Sequence, residues 1–290
     1  MNPTDLDHTV FNVINTKAED LEKQLDQDVI FYFGAIHPSQ FRVFRDFIED
    51  VVSLSERSDR KLAVVLKTPG GSAETVDRYV TVIRQHYDDV TFIVPEMAMS
   101  AGTIFCMSGD RIMMDYSSAL GPIDPQVIAA DQSGYVAALG YLDKVAEISA
   151  KPTLAPADVV LLKSMDLGVL ALYEQARDLS IDLLKKWLVE YKFKDWTVHR
   201  TTNKGDRVTL DEKQVRAEEI AAALSDHRLW HSHGRSLSLE KLQSLRLEID
   251  DFSANKALQS AIRQYHDLLT VHLERYGQPF FLHNCRVNAV

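Results

Sequence analysis

The chain has little cysteine, little glycine or proline, and no long hydrophobic run. Its two cysteines, Cys106 and Cys285, lie far apart and outside any Cys-x-x-Cys spacing. This pattern excludes a disulfide framework and a cysteine zinc site, and it fits a reducing compartment. The 12 glycines and 9 prolines exclude a collagen-type repeat and leave no composition for a long flexible linker.

Two further absences concern membranes and nucleic acids. No stretch reaches the roughly 18 apolar residues that a membrane-spanning helix needs. The amino-terminal residues lack the basic and apolar regions of a secretory signal, so we expect a cytoplasmic protein with no membrane partner. Positive charge is in deficit, because 32 Lys and Arg stand against 42 Asp and Glu, which gives a formal net charge of −10. An acidic chain repels phosphate backbones, which disfavours nucleic acid binding.

The composition that is present is that of a globular protein, with 46% hydrophobic and 26% charged residues. Short apolar runs alternate with helical stripes in the first part of the chain. Buried strands are predicted at four places: 29–36, 62–67, 90–94 and 111–116. Strands that alternate with amphipathic helices indicate an α/β layer architecture with parallel strand connections.

Pattern changes along the chain predict three regions. Residues 1–27 form an amino-terminal helical segment, and residues 28–200 form an α/β domain that ends in long helices over 156–196. The polar, glycine-containing stretch 201–206 marks a boundary. Residues 201–290 form a mainly helical carboxy-terminal region, and TLDE at 209–212 has capping-box spacing. In that region LRLEI, residues 245–249, has a strand-like pattern, and a last helix is predicted over 254–276.

Two motifs each follow a predicted parallel strand, TPGG at 68–71 and MSAGT at 99–103. Ligands bind at this edge of open α/β sheets. A glycine pair lets backbone amides approach a developing negative charge. Ser100 begins a helix, whose amino terminus offers aligned N–H groups beside the hydroxyl. Taken alone, each motif also fits a bland interpretation, a strand-to-helix turn for TPGG and tight helix packing for MSAGT.

Together these motifs carry a family resemblance. KTPGGSAETV, then PEMAMSAGTIFCMSGDRIMM and LGPIDPQ, resemble the core of the Clp protease and crotonase fold. Within that fold the chain is most similar to signal peptide peptidase A and the soluble serine dehydrogenase proteinase group. The resemblance covers roughly residues 29–126. It implies an α/β core of repeated strand-strand-helix units with a carboxy-terminal helical appendage.

The resemblance also implies a chemistry and a set of site residues. It implies a soluble serine endopeptidase that cleaves peptides or unfolded proteins through an acyl-enzyme, in a homo-oligomer, without metal or organic cofactor. Ser100 would be the nucleophile. The backbone N–H groups of Gly71 and Ala101 would hold the oxyanion, and Gly70 would shape the turn.

The general base is chosen by elimination. No histidine lies between Ser100 and His199, so a Ser-His-Asp triad in the Clp protease order is absent. Signal peptide peptidase A uses a lysine instead, and the candidates here are Lys144 and Lys151. A lysine can act as a base when a dry pocket lowers its pKa. The distance of Lys144 before TLAPADV resembles that of the family lysine before its next helix, so we prefer Lys144 as the base. The separation of Lys151 from the nucleophile is closer to that of the family, so Lys151 stays open as the alternative.

Several alternatives remain at this stage. The same fold could carry crotonase-like acyl-CoA chemistry, although Ser100 argues against it, or could serve as a non-catalytic oligomeric scaffold or regulator. We give Asp115 and Asp124 no catalytic role, because loop carboxylates beside Pro and Gly usually cap turns. Cys106 is expected to be a buried small hydrophobe. One cluster lies outside the resemblance, and packing at a helix end is favoured for it over zinc binding: His227, His231 and His233.

Overall fold

The computed structural model describes residues 3–123, 126–128, 135–201, 203–226 and 236–287. Its strands are β1 (Asp28–Gly34), β2 (Lys61–Lys67), β3 (Asp89–Ile93), β4 (Met97–Ala98), β5 (Arg111–Met114), β6 (Ala119–Leu120), β7 (Gln126–Ile128), β8 (Tyr135–Ala137), β9 (Asp250–Asp251) and β10 (Phe280–His283). Six of them form the central sheet in the order β10-β1-β2-β3-β5-β9. Two small sheets, β4-β6 and β7-β8, complete the strand pairing described.

Helices cover the sheet and extend beyond it. They are α1 (Pro3–Leu25), α2 (Phe41–Leu54), α3 (Ala73–His86), α4 (Ala101–Met107), α5 (Ala138–Ser149), α6 (Pro156–Ser164), α7 (Leu167–Trp187), α8 (Leu210–Ser225), α9 (Leu239–Ser244) and α10 (Lys256–Arg275). A π-helical segment, Leu188–Lys192, follows α7 directly. Hydrophobic side chains at helical spacing on α2 and α3 are buried against the sheet, as their amphipathic patterns require.

Strand β1 shows how the two layers of core arise. Alternate side chains of a strand point to opposite faces of a sheet. Ile30 and Tyr32 enter the larger core beneath α2, α3, α4 and α7. Val29 and Phe31 enter the second core, beneath α1 and α10. Because both faces are covered, β1 and β2 are almost continuously apolar, as parallel strands usually are.

The predicted α/β architecture with helices at the carboxyl terminus is confirmed, and two details of the carboxy-terminal region differ. The prediction of a strand at 245–249 is wrong, because the strand there is β9, which pairs with Met113 and Met114 only from Asp250 onward. Strand β10 was not predicted. It pairs antiparallel with β1, which places residues near the end of the described chain at an edge of the central sheet.

The capping box predicted at residues 209–212 is present in the structure. Thr209 caps α8, with its hydroxyl accepting from Glu212 N–H and the Glu212 carboxylate accepting in return. The helical region predicted over 156–196 divides at Asp166, whose carboxylate caps α7. None of the described helices combines the length and hydropathy needed to cross a bilayer.

Candidate active site

The two glycine- and serine-containing motifs meet at the carboxyl edge of the sheet. Thr68 N–H donates to Met97 O at 3.1 Å, and Met99 N–H donates to Thr68 O at 3.0 Å. A methyl group added at Gly70 would lie 2.6 Å from Met99 O and 3.0 Å from Ser100 Cβ. The glycine is therefore required where the turn after β2 passes directly over the serine.

Gly71 is held from the other side by the chain that follows β1. Ile36 N–H donates to Gly70 O at 2.8 Å, and Ser72 N–H donates to Ile36 O at 2.9 Å. Gly71 has φ +147°, and an added methyl group would lie 2.1 Å from Ile36 O. Ile36 and Gly71 thus form a parallel β-bridge in which Ile36 bonds to the residues on either side of Gly71 and not to Gly71 itself.

Ser100 occupies a backbone conformation that is rare for a residue with a side chain. It has φ 51° and ψ −114°, immediately before the first turn of α4. Sparsely populated conformations cost of order 1–3 kcal/mol and cluster at functional sites. The side chain is 5% exposed, so its surroundings are largely protein. The bend after β4 thus holds the hydroxyl at a fixed place beside the Gly70–Gly71 turn.

Two backbone amides near Ser100 stay unused within the described part of the chain. Neither Gly71 N–H nor Ala101 N–H donates a hydrogen bond there. Ala101 is the first residue of α4, and the first N–H groups of an α-helix have no acceptor within the helix. Gly71, Ser100 and Ala101 all line one cavity, so both unused amides lie at the same site as the serine.

A buried threonine, Thr103, ties the serine bend to the following strand. Its Oγ1 lies 3.0 Å from Ala98 O and 2.7 Å from Gly121 O, either of which can accept its one hydrogen, and it accepts from Gly121 N–H at 3.0 Å. The predictions gave Thr103 no role, although it lies within MSAGT, and Gly121 lies within LGPIDPQ. Their place within these two motifs is the signal in the sequence that could have indicated them.

A cavity of about 460 Å³ opens beside Ser100. Much of its lining is apolar or small, and it comes from well-separated parts of the chain: Ile36, Ala73, Ala101, Ile104, Ile123 and Ala176. Of the described side chains that line it, His37 and Glu74 are the ones that ionise, and no lysine is among them. The sequence analysis missed His37 and the contribution of α7.

The two candidate lysines lie on and just after α5, away from the cavity lining. Lys144 is half exposed, and its Nζ lies 3.0 Å from a Glu147 carboxylate oxygen. Lys151 Nζ lies 2.8 Å from Asp158 Oδ1. The hydrogen bond to Asp158 is the largest influence on Lys151 and raises its pKa. Gly70, Gly71, Ser100 and Ala101 are therefore brought together, whereas neither lysine joins them in this conformation.

Other residues considered from the sequence have structural surroundings. Asp115 is buried and accepts from Gln259 Nε2 and Arg263 Nε, both at 3.1 Å. Cys106 is fully buried on α4, and burial raises the pKa of its thiol, as expected of a small hydrophobe. Asp124 and the cluster of three histidines lie outside the described residues. The described residues contain no group of three or more potential metal ligands.

The sheet order, the two glycine- and serine-bearing turns and the covering helices define an α/β protein of the Clp protease and crotonase fold. The sequence model of the ClpP-like SDH-type serine proteinase family matches residues 48–211, more than half of the chain. The chain belongs to that family.

Individual relatives are more distant. Over 69 residues the chain is 33% identical to the uncharacterised protein MJ1495 and 35% identical to MJ0137, both of Methanocaldococcus jannaschii. Each match covers 24% of this chain and 24% of the relative, so the chain spans about a quarter of the length of these relatives.

Two solved structures are similar to the chain over most of its length. One is a Ser-to-Ala mutant of the membrane-bound stomatin-specific protease 1510-N, with 15% identity, a TM-score of 0.44, and 80% of this chain and 81% of that chain covered. The other is a Lys-to-Ala mutant of the same protease in complex with a substrate peptide, with 16% identity, a TM-score of 0.45, and coverage of 77% and 72%.

Proposed function

We propose that the protein is a serine endopeptidase that hydrolyses peptide bonds of peptides or unfolded proteins. The observation that carries the proposal is the pair of unused amides, Gly71 N–H and Ala101 N–H, on either side of the strained Ser100. Two aligned donors stabilise an oxyanion far better than they stabilise a neutral carbonyl. Family membership agrees with this chemistry.

In the proposed mechanism Ser100 Oγ attacks the carbonyl carbon of the scissile bond while a base takes its proton. The carbonyl oxygen becomes an oxyanion and accepts from Gly71 N–H and Ala101 N–H. Collapse of this intermediate breaks the C–N bond, the leaving amine takes the proton, and an acyl-Ser100 ester remains. Water then attacks the ester through the same oxyanion site and restores the free hydroxyl.

Lys144 is our candidate for the base, and Lys151 is its competitor. The ion pair between Lys144 and Glu147 is on the surface, and such pairs contribute about 0–1 kcal/mol, so little free energy opposes its release. Lys151 is bound to the nearly buried Asp158, which also caps α6 through Ala155 N–H. The hydrogen bond to Asp158 raises the pKa of Lys151, which makes Lys151 a poor base near neutral pH. The proposal requires α5 to bring Lys144 to Ser100 when substrate occupies the cavity.

The cavity and the helices beyond it support two further parts of the proposal. Ile36, Ile104 and Ile123 provide an uncharged surface for a substrate side chain next to Ser100. Exposed apolar side chains on α6 and α7, including Val160, Leu167 and Leu172, offer a surface for association with further copies of the chain. We propose a homo-oligomer for that reason.

Hydrolysis of a quenched fluorescent peptide and of unfolded casein tests the proposal. Ser100→Ala is expected to abolish turnover, because removing the nucleophile of such a site costs about 10⁶-fold in kcat. Lys144→Ala is expected to lose at least about 10³-fold and Lys151→Ala less than about tenfold, since general acid–base help contributes 10²–10⁴-fold. Equal loss in the two lysine variants, or full activity of both, contradicts the assignment of the base.

A non-catalytic scaffold is the second candidate, and one observation favours it: no described lysine lines the cavity. A scaffold would show no Ser100-dependent hydrolysis of any peptide in the panel, while its assembly would be unchanged in Ser100→Ala. Turnover that is lost in Ser100→Ala excludes the scaffold.

A further inference from the structure

A nearly buried lysine, Lys67, ends strand β2 directly before the TPGG turn. Its side chain is 10% exposed, and lysine is almost never buried to this extent without a partner. Alternation along β2 places it on the same face as Ala63 and Val65, which belong to the core beneath α1 and α10. The ammonium group is therefore directed to the face of the sheet opposite α4, the helix that Ser100 precedes.

Two carboxylates from distant parts of the chain meet at this ammonium group. Lys67 Nζ lies 2.7 Å from Glu96 Oε2 and 3.3 Å from Glu274 Oε1. The ring of Phe33, with its centroid 5.6 Å from Nζ, adds a cation–π contact. Glu96 and Glu274 are 45% and 61% exposed, so both carboxylates reach inward from the surface to a lysine that is already in place.

Glu96 lies immediately before β4, the short strand that leads into Ser100. Its backbone oxygen accepts from Ala119 N–H at 2.8 Å, which fixes one side of this segment to β6. On the other side Thr68 forms a parallel bridge with Ala98. The ion pair between Lys67 and Glu96 is therefore a side-chain cross-link beside this bridge, between the two segments that carry the TPGG turn and Ser100.

Helix α10 holds both members of this ion pair from outside the α/β core. Glu274 contacts Lys67, and the nearly buried His266 has its Nε2 3.6 Å from Glu96 Oε2. Lys256–Arg275 lies beyond residues 48–211, the part of the chain that the family model matches. The carboxy-terminal region thus contacts the segment before Ser100, although the core of the fold does not supply these contacts.

We infer that Lys67 is a positioning residue for the peptidase reaction. Through Glu96 and α10 it holds the segment that leads into Ser100 at a fixed distance from the Gly70–Gly71 turn. The inference rests on the proposed function, because it concerns the geometry between Ser100 and the oxyanion donors. Lys67 is not among the described residues that line the Ser100 cavity, so it acts through the backbone and not on the substrate.

Lys67→Met tests the inference, because it removes the charge and keeps an unbranched side chain. An apolar replacement of a buried ion is often neutral for stability, and the released carboxylates already reach water. We expect kcat to fall about tenfold to hundredfold, since a displacement of about 1 Å at a reacting group can cost this much. KM should change less than about twofold, because the cavity lining is intact.

Partner and control variants separate positioning from a general loss of structure. Glu96→Ala removes the exposed member of the pair and should lower kcat to a similar extent. Adding Lys67→Met to Glu96→Ala should lower kcat by less than about a further twofold, because both changes remove one interaction. Lys67→Arg keeps the charge and should retain most of kcat. Lys61→Met is the matched control, because Lys61 begins the same strand and pairs with Asp59, away from Ser100.

Peptide hydrolysis and the rate of fluorophosphonate labelling are measured on the full chain, at a temperature where circular dichroism shows every variant folded. Parallel loss of kcat and of labelling rate in Lys67→Met and Glu96→Ala, but not in Lys61→Met, supports the inference. Wild-type turnover with an unchanged kcat in Lys67→Met overturns the inference alone, as does independent loss in the double variant. Absence of Ser100-dependent turnover in the wild-type chain overturns the proposed function and the inference with it.

Discussion

At the scale of single residues, the candidate site is built largely from backbone groups, and the side chains around it hold that backbone in place. Gly70 and Gly71 allow the turn after β2 to approach Ser100 and Ile36 more closely than any side chain would permit. Ser100 itself is held in a rare conformation by the bend before α4. Even a substitution that adds one methyl group at Gly70 or Gly71 should therefore strongly reduce peptidase activity.

Gly71→Ala is expected to abolish peptidase activity and to destabilise the fold. The added methyl group meets Ile36 O, and the left-handed backbone is strained for alanine by about 1–3 kcal/mol. The matched control is Gly140→Ala on α5, where an added methyl group has nothing within 4 Å. Since alanine is the better helix former by about 0.5–1 kcal/mol, the control should unfold at higher urea. Normal activity of Gly71→Ala would contradict its placement at the oxyanion.

Thr103→Val should lower both the free energy of unfolding and kcat while changing KM little. The substitution keeps the shape but leaves Gly121 O without its buried hydroxyl partner, at a cost of about 1–3 kcal/mol. Gly121 N–H still donates to Ala98 O at 3.1 Å. Thr81→Val is the control, because that hydroxyl bonds only to Asp77 O on an exposed helix face. Urea unfolding and peptide kinetics measure both effects, and an unchanged kcat in Thr103→Val would show that Thr103 does not position Ser100.

The sequence predicted the residues whose chemistry depends on local geometry. TPGG and MSAGT bring Gly70, Gly71, Ser100 and Ala101 together, because each motif follows a parallel strand and the carboxyl ends of such strands meet at one edge of the sheet. The lysine could not be assigned in the same way, because its position depends on how α5 lies on the rest of the molecule. Thr103 was missed because a buried hydroxyl network has no sequence period.

At the scale of elements, the carboxy-terminal helix α10 is bound to the loop after β5. Arg263 and Gln259 on α10 donate to the buried Asp115, whose carboxylate also accepts from Ser117 N–H at 2.8 Å. Burial alone raises the pKa of Asp115, but the hydrogen bonds from Ser117, Gln259 and Arg263 outweigh it and lower the pKa. The ion pair links the last long helix to the strand next to the site.

Arg263→Ala is expected to reduce the free energy of unfolding by about 2–3 kcal/mol at pH 7, less than a fully buried pair because the guanidinium is one-third exposed. The pKa of Asp115 is lower in the folded than in the unfolded state. The stabilisation by ionised Asp115 is therefore fully present above its unfolded-state pKa of about 3.9. This stabilisation is lost as the pH falls through the pKa of Asp115 in the folded protein.

Urea unfolding of both proteins between pH 2 and pH 7 measures this difference. The two free energies should converge on the acidic side and stay apart above about pH 5. Arg177→Ala, which removes an exposed pair with the adjacent Asp178, is the control and should change stability by less than about 1 kcal/mol. A difference that grows towards low pH would contradict the assignment.

Elements with a clear period were predictable, and short edge elements were not. Strands β1 to β3 lie within about two residues of their predicted bounds. Strand β10, Phe280–His283, has four residues, and its pairing with β1 depends on contacts about 250 residues apart in sequence. LRLEI has a strand pattern, but its buried Leu247 and Ile249 serve as packing groups in a loop.

At the scale of the whole molecule, helices α6 and α7 carry several exposed apolar side chains. Val160, Leu167 and Leu172 are 67%, 78% and 59% exposed. We propose that copies of the chain associate through these side chains. Such association would cover them and would also restrict access to the Ser100 cavity, to which α7 contributes Ala176.

Leu167→Asp is expected to reduce the oligomer mass measured by light scattering after size exclusion. A charge at an apolar contact is costly to bury, by several kcal/mol in favourable cases. Val271→Asp is the matched control, because Val271 is similarly exposed at 64% but lies on α10 rather than on α6 or α7. Dissociation in the control, or an unchanged mass in Leu167→Asp, would place the contact elsewhere.

The central claim is that Ser100 is an activated nucleophile, and intact-mass measurement after treatment with a fluorophosphonate probe tests it most directly. The proposal predicts that the wild-type chain gains the mass of one phosphonyl group and that Ser100→Ala gains none. Labelling of both proteins, or of neither under conditions that label a control serine hydrolase, would contradict the claim.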